Sequence, residues 1–180
     1  MLLINDQDDY PLAREFHFTH NLCAIIYDQL TDVLTNEKFK ELTRTPLNIH
    51  SDSQKFLEEL ESGDIHVLDW LSKYKYDQTL SDTLIKHLTL SILSDYVNFV
   101  YESLNCARKG KMSVAYALLR KPLTDELLIL EQLLSNGEDY VKRFFYSGNP
   151  ATYDPYREKN QRNIIEVAKE KLLVSYPFSS

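Results

Sequence analysis

Glycine, proline and cysteine are scarce in this chain, whose 180 residues include 4 Gly, 6 Pro and 2 Cys. So few helix breakers argue against a disordered chain, a collagen-like repeat and a turn-rich all-β sandwich. Two cysteines, Cys23 and Cys106, cannot build a disulfide framework, which favours a reducing compartment. Positive charge is in deficit as well, and the net charge of −7 argues against a dedicated DNA-binding protein.

Long hydrophobic runs are also missing. The most apolar stretch, residues 84–100, is interrupted by Lys86, His87, Asp95 and Asn98, so it does not predict a membrane span. The short apolar run at the N-terminus turns acidic at once, unlike a signal peptide. We therefore expect a cytoplasmic protein of one domain with no membrane partner.

Leucine is the commonest residue, at 28 positions, and apolar residues recur at helical spacing. The front half is predicted to hold three helices, over residues 12–36, 37–43 and 51–63. Ser51 or Asp52 can cap the third helix and Gly63 can end it. Asp64 then opens an apolar segment around Trp70.

The back half contains the two longest predicted helices. The first runs from Ser81 to about Arg108, where Gly110 is the expected breaker. The second starts near Ser113 and continues to Gly137. A kink or break is expected within it at Pro122, because proline in a helix interior costs about 3 kcal/mol.

Two further helices complete the prediction. One covers residues 138–146, and the last begins at Asp154-Pro155 and ends at Pro177. The final residues, 175–180, are typical of a strand or a linker, so the chain can be one domain of a longer protein. The sequence thus predicts a single all-α domain over residues 1–180, a bundle of six to eight helices around two long central ones. A homodimer through the central helices is expected, because such bundles bury leftover apolar faces by pairing.

Charge is divided unevenly along the chain. Residues 1–106 carry 8 Lys and Arg against 18 Asp and Glu, a balance of −10, whereas residues 107–180 carry 12 against 9, a balance of +3. A basic cluster surrounds the turn between the two long helices: Arg108, Lys109, Lys111, Arg120 and Lys121. This cluster can bind RNA or another anionic ligand. Alternatively, it complements the helix dipoles while staying in solvent.

Several other side chains are candidates for chemistry. His17 and His20 have a spacing that can hold a metal, but no third ligand is evident, so the sequence favours surface imidazoles and no metal or cofactor. Cys23 and Cys106 can each be a nucleophile beside a histidine, although a buried apolar role is more typical. The first long helix also carries a polar stripe that is either solvated or turned into a groove: His87, Ser91, Asp95, Asn98 and Glu102.

Arg120 lies in an apolar context next to Pro122. Its guanidinium can form a partly buried pair with Glu102 or Glu131 that fixes helix packing. It can also bind an anion such as a phosphate. The sequence favours the structural pair.

The segment from Ala117 to Leu134 resembles the core helix of a group of bacterial helical proteins with an Arg-x-x-Leu-x-x-Glu pattern, here Arg120, Leu123 and Glu126. That group is similar to the HEPN superfamily, the nucleotide-binding and RNase-like bundles of toxin–antitoxin and abortive-infection systems. The resemblance implies a helical bundle and a role in bacterial defence.

The chain departs from the ribonucleases of that superfamily. Those enzymes carry Arg-x4–6-His late in the bundle, where both side chains act on an RNA phosphodiester, but no histidine follows Arg120 here. The literal match is Arg14 to His20, at the start of the chain. Catalysis by Arg14 and His20 is therefore a minor hypothesis, since both roles need supporting geometry.

The sequence favours a non-enzymatic interaction module that binds a protein partner or a second copy of itself. Its 12 Tyr and 8 Phe suit a partner surface. The first alternative is an RNase or other phosphodiester-acting enzyme that uses Arg120 and the basic turn. The second is a ligand-binding bundle with an apolar pocket, although its lining residues are also typical of a core: Trp70, Tyr96, Phe99 and Tyr116.

Overall fold

The computed structural model describes residues 2–5, 7, 9–46, 58–59, 61–147, 149–152 and 161–175. Within these ranges the chain is helical and contains no strand, which confirms the predicted all-α fold. The helices are α1 (His17–Thr35), α2 (Lys40–Thr43), α3 (Val67–Lys73), α4 (Asp77–Arg108), α5 (Met112–Lys121), α6 (Leu127–Val141) and α7 (Gln161–Ser175). Most of the helix predicted over residues 51–63, the predicted helix start at residues 154–155 and nearly all of the predicted C-terminal strand or linker lie outside the described residues.

The two long central helices are confirmed. A π turn (Pro122–Glu126) joins α5 to α6, and a second π turn (Lys142–Tyr146) extends α6, so residues 112–146 form one helical segment beside α4 that is bent at Asn136. Counted this way, the described residues contain six helices. α1 and α5 both pack on α4, and α6 packs between α4 and α7.

The turn between α4 and α5 follows from one glycine. Gly110 has a φ of +73°, a left-handed conformation that favours glycine. It lets the Lys111 N–H bond to the Cys106 carbonyl and the Gly110 N–H bond to the Ala107 carbonyl, each at 2.9 Å. These two bonds close the end of α4 as a Schellman motif. The predicted breaker at Gly110 is confirmed.

Pro122 widens the helix without ending it. Proline lacks an N–H and its ring clashes with the carbonyl four residues before it, so a regular α turn is unfavourable here. The chain forms a π turn instead, in which the Leu127 N–H bonds to the Pro122 carbonyl five residues back. The predicted break is therefore not found, because the chain stays helical through one wider turn.

Within the described residues, the core contains two clusters at opposite ends of α4. The Trp70 cluster joins α3, the start of α4 and the end of α6, through Trp70, Leu71, Leu80, Leu84 and Val141. The Leu104 cluster joins the N-terminal segment, α1 and the end of α4, through Leu2, Ala24 and Leu104. Twenty residues separate Leu84 from Leu104, which is roughly 30 Å along the helix.

Two histidines and an asparagine of α1 hold the preceding chain. The His20 ring nitrogen Nε2 lies 2.9 Å from the Leu2 carbonyl, and that of His17 lies 2.8 Å from the Leu12 carbonyl. Asn21 accepts from the Ile4 N–H at 2.8 Å and donates to the Ile4 carbonyl at 2.9 Å. Both imidazoles are buried, so the prediction of two surface histidines is wrong. Buried imidazoles need hydrogen-bonding partners, and the backbone supplies them.

Candidate functional site

α6 bends at Asn136, whose φ of −155° and ψ of 77° are not helical. Such a break leaves carbonyl and N–H groups without helical partners. Lys171 of α7 donates to the Leu134 carbonyl at 3.0 Å and to the Ser135 carbonyl at 2.8 Å. On the other side, the Asn136 side chain accepts from the Asp139 N–H at 3.2 Å. The bend is therefore held by its own cap and by α7, one residue before the predicted stop.

A polar pocket opens at this bend, between α6 and α7. We term it the kink pocket. Its volume of about 540 Å³ lies within the range of ligand sites in proteins. The residues that line it are Gln132, Ser135, Asn136, Asp139, Arg143, Asn163, Ile164 and Val167.

Gln132 lies in the wall of the kink pocket and is only 2% exposed. Its primary amide offers two N–H donors and one acceptor oxygen. Neither Nε2 nor Oε1 has a hydrogen-bonding partner within the described part of the chain. Leaving a buried amide unpaired costs about 1–3 kcal/mol. A molecule that paired with this amide in the pocket would remove that cost.

The charges in the kink pocket compensate each other. Nε of Arg143 lies 2.9 Å from Oδ2 of Asp139, and Nη1 of Arg143 donates to the Thr152 carbonyl at 3.0 Å. The other lining residues are uncharged. The pocket therefore suits an uncharged polar molecule better than a phosphate.

An apolar groove of about 530 Å³, the α6–α7 groove, runs along the same two helices. Its apolar lining comes from Leu127, Leu130, Leu134, Ile165, Ala168, Leu172 and Leu173. Glu131 and Lys169 are its charged members. Burial raises the pKa of the Glu131 carboxyl above its ordinary value.

The outward face of α1 is apolar as well. Phe18 is 80% exposed, and Leu22, Ile25 and Ile26 are each about half exposed. These four residues, termed the α1 apolar face, lie on the opposite side of the helix from the buried Ala24. A surface helix normally turns polar residues outward, so this face is an unusual feature.

The structure divides the predicted basic cluster into two groups. Arg108, Lys109 and Lys111 surround the turn at the start of α5, whereas Arg120 and Lys121 lie at its other end. Nine residues separate Lys111 from Arg120, which is roughly 14 Å along the helix. The five cations therefore do not converge on one anion.

Arg108 is partly enclosed by its own surroundings. Its Nη2 donates to the Asn105 side chain at 3.3 Å, and its guanidinium lies 5.9 Å from the centroid of the Tyr10 ring. These contacts fit a side chain that packs the end of α4 against the N-terminal segment.

Lys121, and not Arg120, is the cation that pairs with the buried carboxylate of this region. Nζ of Lys121 lies 3.1 Å from Oε1 of Glu126, which is 5% exposed, and 4.9 Å from the centroid of the Phe99 ring. Apart from this contact, neither carboxylate oxygen of Glu126 has a hydrogen-bonding partner within the described residues. Burial, and secondarily the Glu126 charge, raise the pKa of Tyr96 on α4.

Arg120 is exposed and makes no ion pair with any residue that the structure describes. The predicted pair of Arg120 with Glu102 or Glu131 is therefore not found there. Because Arg120 and Lys121 are adjacent, they point about 100° apart around α5, and only Lys121 faces the buried carboxylate.

Arg14 and His20 do not share an accessible surface. Arg14 is exposed in a short 3-10 turn, whereas His20 is buried and holds the Leu2 carbonyl.

Cys23 is exposed, contrary to the buried role expected of it, and Cys106 is partly buried. Among the residues described, no three His, Cys, Asp or Glu side chains form a group suited to a metal ion.

The other candidates from the sequence are also dispersed. Trp70 lies in the core and Tyr116 is 76% exposed, so the predicted aromatic residues do not line one pocket. Every member of the polar stripe of α4 is exposed, which favours a solvated face over an internal groove.

Gln132 is the residue that sequence reasoning missed. It follows Leu128 by four positions and directly precedes Leu133, and both of these leucines are buried. A polar residue on the apolar side of a helix is the signal that could have identified it.

Comparison of the chain with models of known protein families, with curated proteins and with solved structures found no match. The similarity to the HEPN superfamily therefore stays a prediction. Within the described residues, no helix has both the length and the apolar character needed to cross a membrane.

Proposed function

We propose that this protein is a helical interaction module whose α1 apolar face binds an amphipathic helix of a different, basic protein. The observation that carries the proposal is the exposure of Phe18, Leu22, Ile25 and Ile26 on one side of one helix. Contiguous exposed apolar surface of this kind typically marks an interaction site.

The dimensions suit a helical partner. α1 has 19 residues, which is roughly 28 Å of helix. An amphipathic helix commonly binds through apolar residues at i, i+3, i+4 and i+7, and Phe18, Leu22 and Ile25 have this spacing. The α1 apolar face itself, from Phe18 to Ile26, extends over roughly 12 Å of that helix, so a partner helix of about two to three turns would cover it.

Charge favours a basic partner over a second copy. Asp28 and Asp32 lie beside Ile25 along a shallow depression of α1. Lys38 already pairs with Asp32, at 2.8 Å, whereas Asp28 is exposed. Residues 1–106 carry a balance of −10. Two copies that paired through this face would bring like charges together, whereas Lys or Arg residues flanking an apolar helix face would be attracted.

The test uses two designed amphipathic helical peptides of equal length. The Leu/Lys peptide contains only Leu and Lys, and the Leu/Glu peptide contains only Leu and Glu. Binding of each peptide to the protein is measured by calorimetry. The wild-type protein should bind the Leu/Lys peptide and not the Leu/Glu peptide. The double variant Leu22→Ser, Ile25→Ser should lose at least about tenfold in affinity, because two apolar anchors are removed. The matched control is Leu172→Ser, Leu173→Ser in the α6–α7 groove, which should bind like wild type.

Equal binding of the Leu/Lys peptide by wild type and by the α1 double variant would overturn the proposal. Light scattering provides a second measurement. If the wild type is a dimer that dissociates in the α1 double variant, the face is a self-association surface, and binding of a different protein there is rejected.

A further inference from the structure

We infer that the kink pocket binds a small uncharged molecule with an amide-like edge, in which an N–H donor lies beside a hydrogen-bond acceptor. Nucleobases and carboxamides both present such an edge. This site lies between α6 and α7, and the inference does not depend on the role proposed for α1.

Gln132 provides the recognition. Its Nε2 and Oε1 lie side by side in one plane and are both unpaired within the described residues. An amide in this state can form two parallel hydrogen bonds with an edge of the opposite order, as glutamine does with the N6 and N7 atoms of adenine. Because the amide is almost fully buried, a ligand that lacked either group would leave one amide atom unpaired.

The remaining wall fits an uncharged ligand with a flat ring. Ile164 and Val167 of α7 provide apolar contact, while Ser135, Asn136 and Asn163 provide polar groups. The Asp139 carboxylate and the Arg143 guanidinium neutralise each other at 2.9 Å, so a free anion gains little here. The volume of about 540 Å³ can hold a molecule of nucleoside size.

Direct titration of the full chain, monitored by calorimetry and ¹⁵N NMR, distinguishes a nucleobase ligand from a carboxamide ligand. Adenosine and nicotinamide are the probes. Purine riboside and methyl nicotinate are their matched analogues, which keep the ring and lack the amide or amino N–H donor. At least one probe should bind, and its donor-lacking analogue should bind at least about tenfold more weakly.

A variant then assigns the site. Gln132→Met keeps the length of the side chain and removes the amide, so it should weaken binding of the active probe at least about tenfold. Gln78→Met, at an exposed glutamine of α4, is the matched control and should bind like wild type. If Gln132→Met fails to fold, the NMR spectrum of the wild-type protein still shows whether the probe binds at Gln132. The side-chain NH₂ signals of Gln132 should shift on binding, and those of Gln78 should not.

Three results would overturn the inference. The first is the absence of binding by both adenosine and nicotinamide. The second is undiminished binding by Gln132→Met, and the third is a bound probe that leaves the Gln132 side-chain signals unmoved. In each case, the amide would serve packing alone.

Discussion

Glu126 and Lys121 show how one cation compensates a buried carboxylate next to the first π turn. Replacing Lys121 with Met keeps an apolar chain over the Phe99 ring but leaves the Glu126 carboxylate without its ion pair. We expect Lys121→Met to lower the free energy of unfolding by about 1–3 kcal/mol at pH 7, since an unsatisfied buried group carries that cost. Urea denaturation measures this loss.

The neighbouring residue provides the control. Arg120→Met removes an exposed cation with no ion pair in the described residues and should change stability by less than about 0.5 kcal/mol. The additional substitution Glu126→Gln in the Lys121→Met background should recover most of the loss, because the buried charge disappears. Equal losses in Arg120→Met and Lys121→Met would contradict the role assigned to Lys121.

Glu131 should make the stability depend on pH in the opposite direction from a salt-bridged acid. Burial raises the pKa of its carboxyl above the ordinary 4.5, so the folded state binds the proton more tightly than the unfolded state. The contribution of this group is therefore most favourable at low pH and decreases as the pH rises through the raised pKa. Glu131→Gln should be more stable than wild type at pH 7, and the difference should vanish below pH 4.5.

Melting temperatures recorded between pH 4 and pH 8 test this expectation. Glu138→Gln, at an exposed position of the same helix, serves as the control. A difference between Glu131→Gln and wild type that stays constant across this pH range would show that burial does not penalise the carboxylate.

Gly137 allows α6 to approach α4 closely, which is a property of the packed elements. A Cβ placed on Gly137 would lie 2.9 Å from Cδ1 of Ile85. Overpacking of this kind costs about 1–3 kcal/mol, and the higher helix propensity of alanine offsets up to about 1 kcal/mol. Gly137→Ala should therefore destabilise the protein by roughly 1 kcal/mol in urea denaturation.

A double-mutant cycle isolates the contact. Ile85→Val removes Cδ1, so Gly137→Ala should cost less in the Ile85→Val background than in wild type, with a coupling energy of at least about 0.5 kcal/mol. Additive effects would mean that the two helices do not meet at this point.

Helix ends were predictable where a single residue decides the backbone. α1 ends at Thr35, where Asn36 turns extended, and α4 ends at Arg108, two residues before the left-handed Gly110, close to where the sequence places both stops. The outcome at Pro122 was not predictable, because a π turn and a break both accommodate proline.

The candidate site was less predictable than the helices. Helical spacing shows which residues of one helix share a face, but not which other helix covers that face. Lys121 and Arg120 could not be told apart as partners of a carboxylate for this reason. Likewise, the position of α7 determines whether the Gln132 amide finds a hydrogen-bonding partner. The sequence of α6 alone does not indicate where α7 lies.

At the scale of the whole molecule, α4 connects two core clusters of unequal size. The Trp70 cluster contains five buried residues and stacks the Trp70 ring on Tyr76, with centroids 5.5 Å apart. The Leu104 cluster contains three, both counts being of the residues that the structure describes. Apolar burial drives folding, so the end of the bundle at Leu104 should open at a lower free energy than the end at Trp70.

Leu104→Ala tests whether these two ends are separable. Removing this buried side chain should cost about 2–5 kcal/mol locally. Hydrogen exchange in α1 and the N-terminal segment should accelerate, while the fluorescence transition of Trp70, the chain's single tryptophan, moves much less. Leu84→Ala, in the Trp70 cluster, should give the reverse pattern. If both variants shift both measurements equally, the long α4 couples the clusters into one cooperative unit and neither end opens alone.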